Sequence, residues 1–284
     1  SYTVSDSATG EPIATFHMDL HPRRGTFGHA AAFPLIRTRQ LPDGSRQQPE
    51  AAIVANFTRP TTDKPSLLQH HEVETLFHEF GHILHQVLSR TELASFSGTE
   101  VERDFVEAPS QIMEHWTWEP EILEQFARHH ESGEPIPTEL IDSMVAVRRL
   151  NQAVATLRQV QFGKLDLELH RTAPGRDLDS IVAEVEKVSL FPHHEGTFFP
   201  ASFGHLLGGY DAGYYGYLWS EVYGDDMFSR FSKEGVRSSE VGADYRREIL
   251  ESGGSRDALD HLRAFLGRDP ENGAFLEKLG IPRP

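Results

Sequence analysis

Between residues 70 and 89 the apolar side chains fall at helical spacing. Val73, Leu76, Phe77, Phe80, Ile83, Leu84, Val87 and Leu88 follow the i, i+3, i+4, i+7 rule and form a stripe for a core. The other side carries His78, Glu79, His82 and His85, with no lysine between Val73 and Leu88. A solvated face would hold lysines and glutamates; this one reads as a site. Upstream the period changes to two. Ile13–Leu20, Ala30–Ile36 and Ala51–Phe57 are extended stretches, set off by Thr9-Gly10 and Leu41-Pro42-Asp43-Gly44, turn signals that bound strands. A small antiparallel sheet is expected there, either pure scaffold or with an edge strand that pairs an extended peptide.

Downstream the pattern is mostly helical, with segments near 70–89, 105–119, 120–130, 138–170 (broken), 177–188, 214–231, 239–251 and 255–266. Pro109 and Pro120 suit first-turn positions, Asp104 and Ser255 suit caps, and Gly253-Gly254 suits a helix end. The fold class is α+β, predominantly α-helical, with a β-rich part over 1–60 and a helical part over 61–284.

The 284 residues suffice for one large domain or two small ones. A mean hydropathy of −0.44 and 38% hydrophobic residues describe a soluble globular chain, and no apolar run is long enough to span a membrane. The net charge of −16, without a basic stripe, argues against nucleic acid and anionic membrane as partners. With no cysteine, any metal must be held by histidine and carboxylate. That composition, and the lack of a signal-peptide pattern, suits the cytoplasm, although Ser1 is not an initiator methionine.

His78-Glu79-Phe80-Gly81-His82 is the sharpest motif. Histidines at i and i+4 lie one above the other on a helix face, close enough to share a zinc ion, and the glutamate between them can serve as proton acceptor. A catalytic zinc site needs a third protein ligand and an open position. Glu107, in Asp104-Phe105-Val106-Glu107-Ala108-Pro109-Ser110-Gln111, is the best candidate, though a first-turn carboxylate favoured by the helix dipole reads equally well. Gln111 and Glu114 continue its face. His85 reads as a packing or supporting residue. The adjacent pairs His70-His71, His129-His130 and His193-His194 do not share a helix face and read as surface histidines. Gly81 would permit close approach of another element.

A second stretch, Phe203 to Tyr217, combines five glycines with His205, Tyr210, Tyr214, Tyr215 and Tyr217. Glycines permit hinge motion, and tyrosine and histidine can donate to an oxyanion. The same residues also read as a tight loop whose tyrosines pack into the core.

Together, Phe-His-Glu-Phe-Gly-His at 77–82, Asp-Phe-Val-Glu-Ala-Pro-Ser-Gln at 104–111 and His-Leu-Leu-Gly-Gly-Tyr-Asp-Ala-Gly-Tyr-Tyr-Gly-Tyr at 205–217 resemble the thimet oligopeptidase and oligopeptidase A family of zinc metallopeptidases. Val54–Thr58 and Phe265–Arg268 extend the likeness to nearly the whole chain. The resemblance implies a zincin-like catalytic domain of gluzincin type with one zinc ion per chain. His78, His82 and Glu107 would be its ligands and Glu79 the general base. His205, Tyr210, Tyr214 and Tyr217 would form a flexible loop that contacts substrate and stabilises the tetrahedral intermediate. It implies cleavage within short peptides. Release of C-terminal dipeptides, or zinc binding without turnover, are the alternatives. The long N-terminal helical half typical of the family is absent from this sequence; that half, or a partner chain, would complete the substrate channel.

Overall fold

The computed structural model describes residues 1–171, 175–191, 194 and 196–282. The β-rich part contains β1 (Tyr2–Ser5), β2 (Pro12–Asp19), β3 (Ala31–Ile36), β4 (Arg39–Gln40), β5 (Arg46–Gln47) and β6 (Glu50–Val54). Four of these form one sheet in the order β1-β2-β6-β3, while β4 and β5 make a separate small hairpin. The sheet is mixed, which corrects the wholly antiparallel expectation. β1 with β2 and β3 with β6 are antiparallel, but β2 and β6 run parallel. The chain leaves β2, passes through β3 and the small hairpin, and returns beside β2 in the same direction, the long crossover that a parallel pair requires.

Along β6, Ala51 and Ile53 alternate inward and are fully buried. They meet Ile83 and Val87 of α1 (His70–Val87), so the apolar stripe read from the sequence covers the sheet. The start of α1 is tied to the end of β6. Glu72 accepts from the Gln69 amide at 2.8 Å, closing a capping box, and from the Thr58 amide at 2.7 Å.

The other helices are α2 (Ala108–Glu114), α3 (Pro120–Phe126), α4 (Thr138–Arg148), α5 (Gln152–Arg171), α6 (Leu178–Val185), α7 (Phe199–Ser202), α8 (Gly216–Glu234), α9 (Ser239–Tyr245), α10 (Ala258–Leu266) and α11 (Gly273–Lys278). The expected break in 138–170 falls at Asn151, whose φ of 61° no helix interior accepts. The expected 105–119 helix starts later, at Ala108, because Pro109 fits only a first turn. Asp104 therefore does not cap it; its carboxylate accepts from Tyr215 Oη at 3.0 Å. Asp257, not Ser255, caps α10 by accepting from the Leu259 amide at 2.9 Å. β1, α7 and α11 carry too few patterned residues to be read from sequence. Among the described residues no helix is long and apolar enough to cross a membrane.

Three cores result. One lies between the sheet and α1. A second, the largest, joins α2 and α8 to α9 and α10 through residues such as Phe105, Ile112, Met227, Phe231 and Leu262. A third gathers Leu165, Ile181, Val185, Phe203, Leu206 and Tyr214 beneath the glycine-rich stretch.

α1 and α2 cross at Gly81. A Cβ there would lie 2.3 Å from the Pro109 carbonyl oxygen and 2.6 Å from Ser110 Cα. Gly81 is the price of that approach, about 1 kcal/mol of helix propensity relative to alanine. Overpacking a tight contact costs about 1–3 kcal/mol, and here the obstacle is backbone, which yields least. Gly81→Ala is therefore expected to lower stability in spite of its better propensity, by about 1–2 kcal/mol in urea unfolding. A stability equal to or above wild type would show that the helices can part without cost.

Candidate metal centre

The crossing at Gly81 brings the end of one helix onto the face of another. Glu107 is the N-cap residue of α2, and its Oε2 lies 3.2 Å from His78 Nε2 and 3.0 Å from His82 Nε2. These three donors form the one group among the described residues whose ligand atoms all lie within 4.8 Å of one another. In a tetrahedral site with metal–ligand bonds of about 2.0–2.1 Å, ligand atoms sit about 3.3 Å apart. Two imidazole nitrogens and a carboxylate oxygen at nearly that spacing fit a borderline-soft divalent ion.

Two of the donors are held from behind, whereas His82 Nδ1 is buried without a hydrogen-bond partner among the described residues. His78 Nδ1 bonds Glu114 Oε1 at 2.7 Å, the carboxylate–histidine arrangement that fixes which nitrogen faces a metal. Next to Glu114 in the chain, His115 Nε2 meets the buried Asp225 at 2.7 Å. Ser110 Oγ donates to Glu107 Oε2 at 2.9 Å, and Tyr210 donates its phenolic proton to Glu107 Oε1. Burial opposes charge on Glu107, but His82 and His78 outweigh it and hold the carboxyl well below the usual carboxylate range. Burial likewise opposes charge on His78, yet its bonds to Glu107 and Glu114 hold it well above the usual histidine range.

Glu79 lies on the same helix between the two histidines and is 6% exposed. Burial raises its carboxyl, against the pull of His78 and His82. The Ala32 amide of β3, the edge strand beside the site, also pulls the carboxyl down, more weakly than the two histidines. Its Oε2 has no partner among the described residues. A buried carboxylate with one free oxygen next to a metal-type triad is placed to accept and return a proton.

His85 points into the core, fully buried and with no hydrogen-bond partner for either nitrogen among the described residues. Burial first, then His82 and His261, depress it to about 3, so it is a neutral packing residue. His70 is not a free surface histidine: its ring lies 4.2 Å from that of Trp118 and its Nε2 is 2.9 Å from the Thr117 carbonyl oxygen. His71, His129 and His130 are exposed. His193 lies outside the described residues.

The four residues expected from the glycine-rich stretch are not equivalent. Tyr210 reaches the triad through Glu107. Tyr217 stacks on Tyr210 with ring centroids 4.8 Å apart. His205 packs against Tyr210, Tyr214 and Tyr217 at 5.2–5.8 Å, and burial lowers its pKa. Tyr214 turns away and donates its hydroxyl to Gln159 Oε1 at 2.9 Å; burial pushes its phenol up to about 12. Burial and the nearby Glu107 carboxylate push Tyr210 and Tyr217 higher still, so all three remain proton donors at neutral pH. Arg103 lies over the Tyr210 ring, 4.7 Å from its centroid.

Sequence reasoning assigned no role to Glu114, Ser110, Gln159 or Asp166. Glu114 was visible as the residue two turns along from Glu107. Asp166 left a fainter signal, a carboxylate set between Leu165 and Leu167 in a helix.

The sequence pattern of Peptidase family M3 matches residues 1–281. The thimet-like oligopeptidase of Dictyostelium discoideum is 42% identical over 99% of this chain and 42% of its own length. Oligopeptidase A of Escherichia coli is 44% identical over 94% of this chain and 40% of its own. The chain thus spans about two-fifths of the length of these relatives. Among solved structures, Trypanosoma cruzi metallocarboxypeptidase 1 superposes with a TM-score of 0.64 over 93% of this chain and 55% of its own at 14% identity, a likeness of fold.

Metal uptake must expel the proton that Glu107 and Glu114 stabilise on His78. The sign follows from its raised pKa: below it the charged form competes with the ion, above it the lone pair is free. Zinc affinity for the metal-free chain should fall as pH is lowered from about 8 to 6, with proton release seen as buffer-dependent heat in titration calorimetry. An affinity flat across that range would place the ion elsewhere.

Proposed function

The chain belongs to Peptidase family M3, and from that premise we propose that it hydrolyses peptide bonds in short peptides, as a zinc-dependent oligopeptidase of endopeptidase type. The observation that carries the proposal is the convergence of His78 Nε2, His82 Nε2 and Glu107 Oε2, with the free oxygen of buried Glu79 beside them.

His78, His82 and Glu107 would hold one zinc ion, leaving its fourth position to water or substrate. When bound, the ion supplies Lewis-acid polarisation of a carbonyl and lowers the pKa of water. The chain supplies the rest. Glu79, with its carboxyl raised by burial, takes the proton from the attacking water and delivers it to the leaving amine. Glu114 and Ser110 keep His78 and Glu107 from rotating out of reach. Tyr210 stays protonated and stands closest to the triad, so on releasing Glu107 its hydroxyl would be the loop donor best placed to support developing negative charge. The free edge of β3 offers main-chain groups to an extended peptide next to Glu79.

Peptide-length limits in a longer protein would depend on the other wall of the channel, supplied by further sequence or a partner chain. Product masses from one test peptide separate internal cleavage from dipeptide release. Short peptides are the proposed partners, and the cytoplasm, a compartment compatible with a cysteine-free chain, the proposed location.

The test is hydrolysis of an internally quenched peptide with and without a zinc chelator. Glu79→Gln should retain zinc stoichiometrically and lose at least about 10³-fold in kcat; full turnover in that variant would sink the assignment. Tyr210→Phe should lower kcat by on the order of 10²-fold, with a smaller change in KM, and more than Tyr214→Phe does. The reverse ranking would mean that Tyr214 leaves Gln159 to act at the metal.

A further inference from the structure

The tyrosine stretch is held by one helix, and at one residue in particular. Asp166, in the middle of α5, is fully buried. Its Oδ1 accepts from the Ala212 amide at 3.0 Å and its Oδ2 from the Tyr214 amide at 2.9 Å. One turn on, His170 Nδ1 lies 2.9 Å from Oδ1. A carboxylate is costly to bury and persists only where charged or amide donors satisfy it. Here two of those donors are backbone amides that no helix or sheet ladder uses.

The backbone between these two amides is unfavourable without help. Ala212 has φ 54°, the left-handed region that a residue with a Cβ avoids, at a cost on the order of 1–3 kcal/mol. Charge-assisted bonds to both sides of Gly213 are of the strength needed to hold it. The rest of α5 follows the same surface. Gly163 faces Tyr215, whose Cα lies within ordinary van der Waals contact of the glycine's Cβ position at 3.5 Å. Phe162 packs on Phe203 and edge-on to Tyr214, and Gln159 takes the Tyr214 hydroxyl. Tyr210 begins the turn that Asp166 closes: the Gly213 amide donates to the Tyr210 carbonyl oxygen at 2.8 Å. Its ring is thereby aimed at Glu107.

We propose that Asp166 is a positioning residue for the reaction: its carboxylate clamps the Ala212–Tyr214 backbone and so fixes the register in which Tyr210 reaches Glu107 and Tyr214 reaches Gln159. The inference rests on the peptidase reading for its catalytic consequence and on geometry alone for the clamp. Asp166 touches neither the triad nor its ligand position; it acts through the loop.

The experiment compares wild type with Asp166→Asn, which keeps the volume and one acceptor but turns an NH2 toward the other amide. Asp166→Glu, one methylene longer with its charge retained, is the second variant if the first fails to fold. Native-state hydrogen exchange at the Ala212 and Tyr214 amides should quicken by at least about 10-fold, while zinc stoichiometry stays at one. With an internally quenched peptide, kcat should fall on the order of 10- to 100-fold with KM changed far less. In a double-mutant cycle, Asp166→Asn added to Tyr210→Phe should cost much less than it does alone. Unchanged exchange at the two amides would overturn the clamp. Faster exchange with effects that simply add to those of Tyr210→Phe would overturn the positioning role, since a merely structural residue lowers stability without coupling to Tyr210. An inert wild-type chain would take down the peptidase reading and the catalytic consequence together, while the exchange rates still decide the clamp, so the two failures are distinguishable.

Discussion

Everything at the candidate centre depends on how closely two helices cross. Histidines at i and i+4 on α1 can face one point in space, but the third donor must come from elsewhere in the chain, and an oxygen 1 Å farther away would not complete the set. Gly81 permits that reach by letting the Pro109–Ser110 backbone rest on α1. The sheet supports α1 from behind through Ile53 and Ile83, and α8 supports α2 through Ile112 and Met227. The donor spacing of 3.0–3.2 Å is the outcome of that packing.

Electrostatics then reinforce what packing has placed. Glu107 is nearly inaccessible, and a lone carboxylate there would be neutralised. Two histidines, a serine and a tyrosine surround it instead, so its charge is retained. The same carboxylate, with Glu114, keeps His78 charged when no ion competes. Such a cluster has few satisfactory states, either protonated on histidine or holding a cation.

Much of this was legible in the sequence, for identifiable reasons. The α1 stripe is long and strongly periodic, and the histidines interrupt an otherwise ordinary polar face. Glu107 gained its meaning from the flanking residues that resemble a known family, and the structure brings it to the two histidines. The strand direction of β2 against β6 was not legible, because periodicity carries no information about crossover path. Asp104 and Ser255 looked like caps by residue type; Pro109 and Asp257 decided the starts. The split among the four loop residues was hidden for another reason. Whether Tyr210 or Tyr214 faces the His78–His82–Glu107 cluster goes with Ala212 adopting a backbone that alanine disfavours, and its amide is held by a carboxylate 46 residues upstream.

The three cores divide the centre in a way that the order of residues does not suggest. The metal-type donors stand on helices buried in the first two, whereas α5 and the tyrosine stretch belong to the third, which joins α5 and α6 to partly buried aromatics such as Phe199. The two parts of one site therefore draw on separate sets of packed side chains, joined where Tyr210 donates to Glu107.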